Sequence, residues 1–597
     1  MLRTLPFALV LGLATTVAVA AESKTEAPRP LAPNEAGINR LAPAVTGTTA
    51  AGQAFDLAAF AKDKKAVVIA VTSTSCPLSK KYLPTLAKLE KDFAGKGVAF
   101  AFVNPVATDK PADITTAAGT VTGPYLHDKD GAACQALAVH STTEVIVLDA
   151  KRTVIYRGAV DDQYGIGYAT DAPKTTHLKS AIEAVLAGKL PAVRATTAPG
   201  CDLDLSGAKA PAAAKPTYHN RVSRIVQQNC QDCHRAGGVG PFAMESVADL
   251  TSHKGAIKKV LAKGTMPPWF AAKPAKGEHS KFMNDVTLPD ADTADLLAWF
   301  EAGAPEGDAA DAPLARAYPT DWAIGKPDAV FELPKDVPVK ATGVMPYHNY
   351  VVETNFTEDK WLKGYEIRPT EPGVVHHVLV FLLTHPKPPF EFLDRPQGVQ
   401  NLSFLAAYVP GNAHQTLPPG FATRIPKGSR LMFQLHYTPN GTATKDRTKL
   451  GLVFAADPPE RELAVSSAAD PRALVIPPGA DNHKVVATMP KFKEERILTA
   501  LSPHMHVRGK ACKYEALLPD DTVTLLMEVP AYDFNWQLQY KLAEPITLPV
   551  GTRLRFTAWF DNSDKNPANP DPTATVKWGQ QTFEEMNIGY YVYHVKK

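Results

Sequence analysis

The stretch KAVVIAVTSTSCPLSKKYLPTLAKLEKDFAGKG, residues 65–97, joins a β-branched run to an amphipathic pattern. The run KAVVIAVTS (65–73) predicts a buried strand, because β-branched side chains pack well on a pleated sheet. The segment KKYLPTLAKLEKDFAGKG (80–97) predicts an amphipathic helix that ends at glycine. Cys76 falls between the two, so we expect it at the first turn of the helix.

The alternation of strands and helices continues beyond this stretch. VAFAFVNP (98–105) predicts a second strand, TEVIVLDAKRTVIYRGA (143–159) a β-hairpin, and TTHLKSAIEAVLAGK (175–189) a closing helix. Such alternation is typical of an α/β domain. We assign this domain to residues 46–198 and, from its Ala/Pro-rich composition, a linker to residues 199–217.

The rest of the chain changes in composition twice. Residues 218–310 contain helical patterns such as SHKGAIKKVLAKG and predict a small all-α domain. Beyond it, short alternating strands with Pro, Gly and Asn turns predict two all-β sandwiches, over 325–460 and 461–597. The predicted fold class is therefore multidomain, with one α/β unit, one all-α unit and two all-β units.

The N-terminus and the overall charge bear on location and partners. Arg3, an apolar run and the Ala18-Val19-Ala20 cleavage pattern predict a signal peptide over residues 1–21. We therefore expect a bacterial protein that is periplasmic or secreted. No later stretch reaches the ~18 apolar residues of a membrane-spanning helix, so we expect no stable membrane span. The net charge of +3 gives no reason to expect nucleic acid as a partner.

NCQDCH, residues 229–234, carries the attachment pattern of a c-type haem. Two thioethers, at Cys230 and Cys233, would anchor the porphyrin, and the adjacent His234 would ligate the iron. A redox cysteine pair or half of a zinc site is the alternative. The sixth iron ligand is expected downstream, where Met266 in GTMPPW and Met283 in KFMND compete.

This helical segment resembles the small cytochrome c modules of bacterial multidomain proteins. The matching pieces are CQDCH, GTMPPW and LLAWFEAGAPEGD. The resemblance implies one covalently attached c-type haem with Met266 as the sixth ligand. Methionine ligation favours a fairly high potential and electron transfer.

Cys76 is a candidate nucleophile, because a helix N-terminus lowers the pKa of a thiol. Its surroundings, AVTSTSCPLSKKYLPTL and TTEVIVLDAKRTVIYRGAVDDQYG, resemble the thioredoxin and peroxiredoxin superfamily. Two positions depart: Ser79 stands where a thioredoxin has its second cysteine, and Thr143 where a proline is usual. Exchange through a C-x-x-C pair is thus excluded. Cys76 would pair with Cys134 or Cys201, and a docking module without a working thiol is the alternative.

Five histidines and one methionine stand out in the strand patterns of the β region: His376, His377, His436, His504, His506 and Met586. In LSPHMHVRGK, residues i and i+2 point to one face of a strand, so His504 and His506 would lie together. The adjacent His376 and His377 need a bulge to share one ion. Imidazole suits several metals, whereas a thioether favours Cu(I), so the site that includes Met586 is predicted to bind copper. The other histidines alone would also suit zinc.

These residues, in their order along residues 325–597, resemble the copper type II, ascorbate-dependent monooxygenases. That family includes peptidylglycine α-hydroxylating monooxygenase and dopamine β-monooxygenase. The resemblance implies two jelly-roll-like sandwiches across a cleft and two coppers: one for electron transfer, at His376, His377 and His436, and one for O₂ activation, at His504, His506 and Met586. It also places Gln434 near the electron-transfer copper and makes Tyr590 one of three residues that grip a substrate carboxylate.

Three features depart from the family. Ser502 stands where the peptidylglycine enzymes have an arginine, and Ile588 where they have an asparagine. Both family residues grip the substrate carboxylate, so a peptidylglycine substrate is not expected. The family's disulfides are also absent, since Cys512 has no partner in this region, and we expect it to be a buried small hydrophobe.

Together the motifs predict an exported copper-dependent monooxygenase that hydroxylates an aliphatic C–H bond of a small molecule with O₂. Its cofactors would be two copper ions and one covalently attached c-type haem. We expect the fused haem to donate electrons, with an external reductant as the alternative. Two other functions remain open: an electron-transfer or copper-binding protein without oxygenase turnover, and a thiol-based oxidoreductase centred on Cys76 with a redox partner protein.

Overall fold

A computed structural model describes residues 27–209, 214–275, 278–384 and 403–596. The signal peptide predicted over residues 1–21 lies outside the described residues. Every helix in the described part of the chain is too short or too polar to cross a membrane.

The first domain is a five-stranded sheet with helices on both faces. In the sheet order β5-β4-β3-β6-β7, the first three strands run parallel and the last two antiparallel. Its elements are β1 Thr46–Thr48, β2 Ala54–Asp56, α1 Leu57–Ala61, β3 Ala66–Val71, α2 Pro77–Ala94, β4 Val98–Asn104, α3 Pro111–Ala118, β5 Tyr125–His127, α4 Ala132–Ala136, β6 Val145–Asp149, β7 Val154–Gly158, β8 Tyr164–Gly165, β9 Tyr168–Ala169 and α5 His177–Leu186. The α/β domain predicted from residues 65–97 is confirmed.

Two apolar cores explain why this sheet is buried on both sides. Strand β3 alternates between them: Val68 packs with Tyr82 of α2 and Ile182 of α5, and Val67 packs on the other face. Burying each such large side chain stabilises the fold by about 1.5–3 kcal/mol. The second face also contains Ile38 from the segment that precedes β1. The packed unit therefore begins on the N-terminal side of residue 46.

The middle segment is helical, but it does not form the separate all-α domain that we expected. It contains a π-helical turn Tyr218–Val222, α6 Ser223–Asn229, α7 Val247–Ser252, α8 Lys254–Lys263, α9 Asp290–Glu301 and a 3₁₀ turn Ala309–Asp311. Trp299 and Phe300 of α9 pack with Val226 in a small core. The chain between α8 and α9 instead packs Trp269 and Phe282 against the last β-domain. A cytochrome c fold stays a prediction.

The remaining chain forms two β-sandwiches, which confirms the predicted all-β units. The elements of the first are β10 Ala329–Glu332, β11 Val337–Val339, β12 His348–Glu353, β13 Lys360–Arg368, β14 Val375–Leu383, β15 Ser403–Tyr408, β16 His414–Thr416, β17 Phe421–Ile425, β18 Arg430–Tyr437, β19 Thr444–Asp446, β20 Lys449–Ala455 and β21 Arg461–Glu462. Its sheets, β10-β20-β13-β17-β21 with β16 on β13 and β12-β18-β14-β15, enclose one apolar core.

The second sandwich has the same plan. Its elements are β22 Ala464–Ala469, β23 Val475–Ile476, β24 His483–Thr488, β25 Arg496–His504, β26 Gly509–Leu517, β27 Val523–Val529, β28 Tyr540–Leu548, β29 Arg553–Phe560, β30 Val576–Lys577 and β31 Ile588–Val595. The sheets β22-β31-β25-β28 and β24-β29-β26-β27 face each other across a core rich in aromatic side chains. Cys512 lies fully buried in this core, as predicted, where burial raises the pKa of its thiol. A jelly-roll topology stays a prediction for both sandwiches.

Candidate functional site

Cys76 caps the N-terminus of α2, as the sequence predicts. Its backbone is extended, and Pro77 opens the helix at a position where no N–H is needed. The loop before it is held by Asp109, whose carboxylate accepts hydrogen bonds from Thr74 N at 2.6 Å and Ser73 Oγ at 3.0 Å. Cys76 N in turn donates to Ser73 Oγ at 3.2 Å. These hydrogen bonds therefore fix the position of Cys76 at the N-terminus of the long helix α2.

The surroundings of Cys76 favour its thiolate. The residue is only 3% exposed, and burial by itself would raise the pKa of the thiol. Hydrogen bonds from the side chains of Thr142 and Cys201 and from the backbone N–H of Ser79 outweigh burial and lower that pKa. Ser79 also holds the loop in place, because its hydroxyl accepts a hydrogen bond from Ser73 N at 2.8 Å.

Cys201 reaches Cys76 because its segment runs along residues 141–143. Cys201 N donates to Thr142 Oγ1 at 3.0 Å, and Thr142 N donates to the Cys201 carbonyl at 3.1 Å. A Cβ on Gly200 would lie 2.1 Å from Ser141 Oγ, so glycine is required for this close approach. The thiol of Cys201 interacts with that of Cys76, and this interaction raises the pKa of Cys201.

Cys134, the other predicted partner of Cys76, is placed differently. It lies on α4, fully buried in the apolar core with Ile38 and Leu137. Burial there raises the pKa of its thiol. Of the two alternatives, the structure brings Cys201, and not this core cysteine, to Cys76.

The first histidine set lies on two neighbouring strands. His376 and His377 are on β14, and His436 is opposite His377 on β18. The register shifts between Val375 and His377, which is the irregularity that the adjacent pair was expected to need. One ring nitrogen from each histidine lies within 4.8 Å of the other two. The three rings thus converge on one point.

One ring nitrogen of each histidine in this set lacks a partner, whereas Nδ1 of His376 lies 3.0 Å from Nδ1 of His377. Nε2 of His376, Nε2 of His377 and Nδ1 of His436 are buried without a hydrogen bond. An unpaired buried polar group costs about 1–3 kcal/mol, which a bound metal would offset. Burial lowers the pKa of His376 to about 4 and of His436 to about 3, and that of His377 also falls well below its ordinary value. Neutral imidazoles are the form that binds metals, so these residues fit a copper or zinc ion.

The second set begins where β25 ends. His504 and His506 are buried, and their ring centroids are 5.4 Å apart. Nδ1 of His504 pairs with Gln537 Oε1 at 2.9 Å, and Nδ1 of His506 with the carbonyl of Glu584 at 3.2 Å. In both cases Nδ1 acts as the donor and Nε2 keeps its lone pair, the tautomer that a metal ligand needs.

Glu585 holds Met586 beside this pair, a role that sequence reasoning missed. One oxygen of its fully buried carboxylate accepts from His506 N at 2.8 Å and from Met586 N at 3.2 Å. The other accepts from Arg508 N at 2.7 Å. Burial raises the pKa of Glu585 to about 8, although these N–H donors favour its charged form. The acidic doublet just before the methionine was the available signal.

Two aromatic residues lie between the histidine sets, and no local sequence pattern indicates them. Tyr347 stacks on His436 with ring centroids 4.7 Å apart and is 6.1 Å from the ring of His506. Phe534 is 5.9 Å and 6.2 Å from the same two rings. The two sets therefore face each other across a narrow aromatic layer.

The remaining predicted residues lie beside these sets. Gln434 is buried on β18, and its amide donates to Gln580 Oε1 at 3.5 Å. Tyr590 is opposite Ser502 in the β25–β31 pairing, with its ring centroid 6.5 Å from that of His504. Their roles stay predictions.

The haem motif follows α6. Nδ1 of His234 hydrogen-bonds to the carbonyl of Phe242 at 3.0 Å, which leaves Nε2 available for iron. Burial raises the pKa of Cys230 to about 12 and that of Cys233 to about 11. These residues fit a covalently attached haem. Met266 lies half-buried in the loop after α8, and its role as the sixth ligand stays a prediction.

Comparisons with known proteins identify one part of the chain. A hypothetical protein from Sinorhizobium meliloti 1021 is 25% identical, with 30% of this chain and 96% of that chain covered and a TM-score of 0.25. A secreted Mycobacterium tuberculosis disulfide oxidoreductase is 17% identical, with 24% and 94% covered and a TM-score of 0.18. The curated proteins contain no match. The family model described as Redoxin matches residues 38–172. That segment is a redoxin domain, with a thioredoxin-like fold.

Proposed function

We propose that the redoxin domain is a thiol–disulfide oxidoreductase and that Cys76 is its reactive thiol. The observation that carries this proposal is the position of Cys76 at the start of the 18-residue helix α2, where Thr142 and Ser79 donate hydrogen bonds to its sulfur. A thiolate is the nucleophile in disulfide exchange, and the partial positive charge of a helix N-terminus stabilises it. The redoxin match supports the same chemistry.

Alkylation of Cys76 is expected to have a midpoint below the ordinary thiol pKa of about 8.5, because its hydrogen bonds stabilise the thiolate. The measurement is the rate of iodoacetamide labelling against pH in the reduced, full-length protein, resolved by peptide mass spectrometry. Thr142→Val removes one donor and should move the midpoint upward. Cys512, buried in a core, is the internal control and should stay unlabelled. A Cys76 that resists labelling at every pH where the protein is folded would contradict the proposal.

A second candidate function is a copper-dependent monooxygenase, and the unpartnered ring nitrogens of His376, His377 and His436 favour it. Copper at the two histidine sets would supply electron transfer at one and O₂ activation at the other, for hydroxylation of an aliphatic C–H bond. The protein contributes burial, which lowers the pKa of the imidazoles and keeps them neutral. Tyr347 and Phe534 occupy part of the space between the sets. The thioether of Met586 would select Cu(I) over zinc.

A contact between domains supports the haem motif as electron donor in that reaction. A Cβ on Gly411 would lie 2.8 Å from Cys233 Sγ, so the motif packs directly on the turn after β15. Next to this turn, Tyr408 of β15 pairs with Val378 of β14, the neighbour of His377. A short route through packed and hydrogen-bonded backbone thus leads from the haem motif to the first histidine set.

Haem reoxidation tests this second function. The copper-loaded protein is prepared anaerobically with its haem reduced. It is then mixed with O₂, and haem absorbance is followed. Met586→Ala is expected to slow reoxidation by more than about tenfold, since even outer partners of a metal site change activity 10–100-fold. Met489→Ala, in the same sandwich but outside the site, should leave the rate unchanged. Equal rates in Met586→Ala and wild type would show that electrons do not reach O₂ through this site.

A further inference from the structure

We infer that Cys201 is the working partner of Cys76 and the sulfur that bulky external thiols and disulfides reach first. Cys201 lies outside residues 38–172, the part of the chain that matches the redoxin family. The inference rests on the proposed thiol function and adds to it a second reactive residue, a reaction order and a point of access.

The backbone brings the two sulfurs together. The isolated bridge between Ser141 and Asp202 and the paired hydrogen bonds of Thr142 and Cys201 fix the Cys201 segment as a short added strand. Thr143 Oγ1 also donates to the carbonyl of Pro199 at 2.6 Å. Cys201 is thus held by backbone contacts on both sides. Val71 N donates to the carbonyl of Glu144 at 2.9 Å, so the strip that holds Cys201 lies at the end of β3 that leads to Cys76, and the two thiols interact.

Thr142 is the positioning residue for the pair. Its Oγ1 accepts from Cys201 N at 3.0 Å, and the same side chain lowers the pKa of the Cys76 thiol. One side chain therefore sets the position of both cysteines.

Access distinguishes the two sulfurs. Cys76 is 3% exposed, whereas Cys201 is exposed at the surface. A disulfide as large as that of a peptide cannot approach a sulfur so deeply covered. It can approach Cys201, which lies on the surface directly beside Cys76.

The exchange then runs in two steps that balance. The Cys201 thiolate attacks one sulfur of an external disulfide, the S–S bond breaks, and one external thiolate leaves. The Cys76 thiolate next attacks the Cys201 sulfur of this mixed disulfide, and the second external thiolate leaves. The external disulfide gains two electrons, the cysteine pair loses two, and the two thiol protons pass to the released thiolates. The protein ends with a Cys76–Cys201 disulfide.

The reverse direction uses the same geometry. An external dithiol attacks Cys201, and Cys76 is the leaving group. A thiol of lower pKa leaves faster, and the hydrogen bonds at Cys76 favour its thiolate. The buried Cys76 is therefore suited to be the leaving group, and the exposed Cys201 is the sulfur that an external thiolate can attack.

Disulfide mapping is the first test. The full-length protein is oxidised with glutathione disulfide, alkylated and digested without reduction, and its peptides are identified by mass spectrometry. We expect a Cys76–Cys201 cross-link in the wild type and in Cys134→Ser. Absence of this cross-link, or a cross-link of Cys76 to another cysteine, would overturn the inference. Alkylation of Cys76 at low pH would still support the proposed function in that case, so the two failures are distinguishable.

Trapping tests the order of the steps. Cys76→Ser leaves Cys201 without its partner, so a glutathione adduct should accumulate on Cys201. Cys201→Ser should acquire the adduct on Cys76 at least about tenfold more slowly, because that sulfur is covered. Cys76→Ala is the second variant, should the serine perturb the loop. A faster adduct on Cys76 than on Cys201 would overturn the assignment of Cys201 as the point of attack.

Discussion

Replacement of His377 by alanine is expected to remove one copper ion per chain and to lower the copper affinity of its site by more than about 100-fold. Loss of an outer partner of a metal ligand already costs about 10–100-fold, and His377 would be a ligand itself. It is fully buried, and its Nε2 has no other partner. Wild-type protein, expressed with export and haem maturation, should contain two coppers and one haem.

Metal quantification after dialysis, together with a competition titration for Cu(I), measures the effect. His414→Ala is the matched control, because His414 lies exposed on β16 in the same sandwich, and this variant should keep both coppers. The haem spectrum should be the same in all three proteins. Zinc at both sites of the wild type, or an unchanged copper content in His377→Ala, would contradict the copper proposal.

Replacement of Arg224 by methionine is expected to lower the free energy of unfolding by about 3–5 kcal/mol, since each buried acceptor left unpaired costs about 1–3 kcal/mol. The guanidinium is fully buried between the redoxin domain and the helical segment. It donates to the carbonyls of Lys151, His219 and Asp311 at 2.7–3.1 Å. Methionine fills a similar volume but donates nothing, so three carbonyls lose this charged donor.

Urea unfolding followed by tryptophan fluorescence measures this loss, because Trp299 reports on the adjoining helical core. Arg424→Met is the control: Arg424 pairs with Asp359 at the surface, where an ion pair contributes about 0–1 kcal/mol. The midpoint should fall clearly in Arg224→Met and hardly at all in Arg424→Met. Equal midpoints for the two variants would show that the buried arginine does not join the domains.

The sequence by itself determined those features that depend on neighbours along the chain. The run before Cys76 predicted β3, and the amphipathic pattern after it predicted α2, because strand and helix periodicities are written in consecutive residues. The adjacent His376 and His377 predicted an irregularity in their strand, and the register of β14 shifts there. The haem motif and the histidine sets could be named for the same reason: their spacing is local.

Only the tertiary structure decided what lies far apart along the chain. Cys134 and Cys201 are equally plausible partners of Cys76 in the sequence, and the choice between them follows from which segment pairs with residues 141–143. The same holds for Glu585 and Tyr347, whose roles come from contacts across strands and between sandwiches. The predicted all-α domain does not stand by itself, because part of the loop between α8 and α9 is buried against β28. Such contacts are set by the long-range packing of apolar surface and by backbone pairing, and no local pattern specifies them.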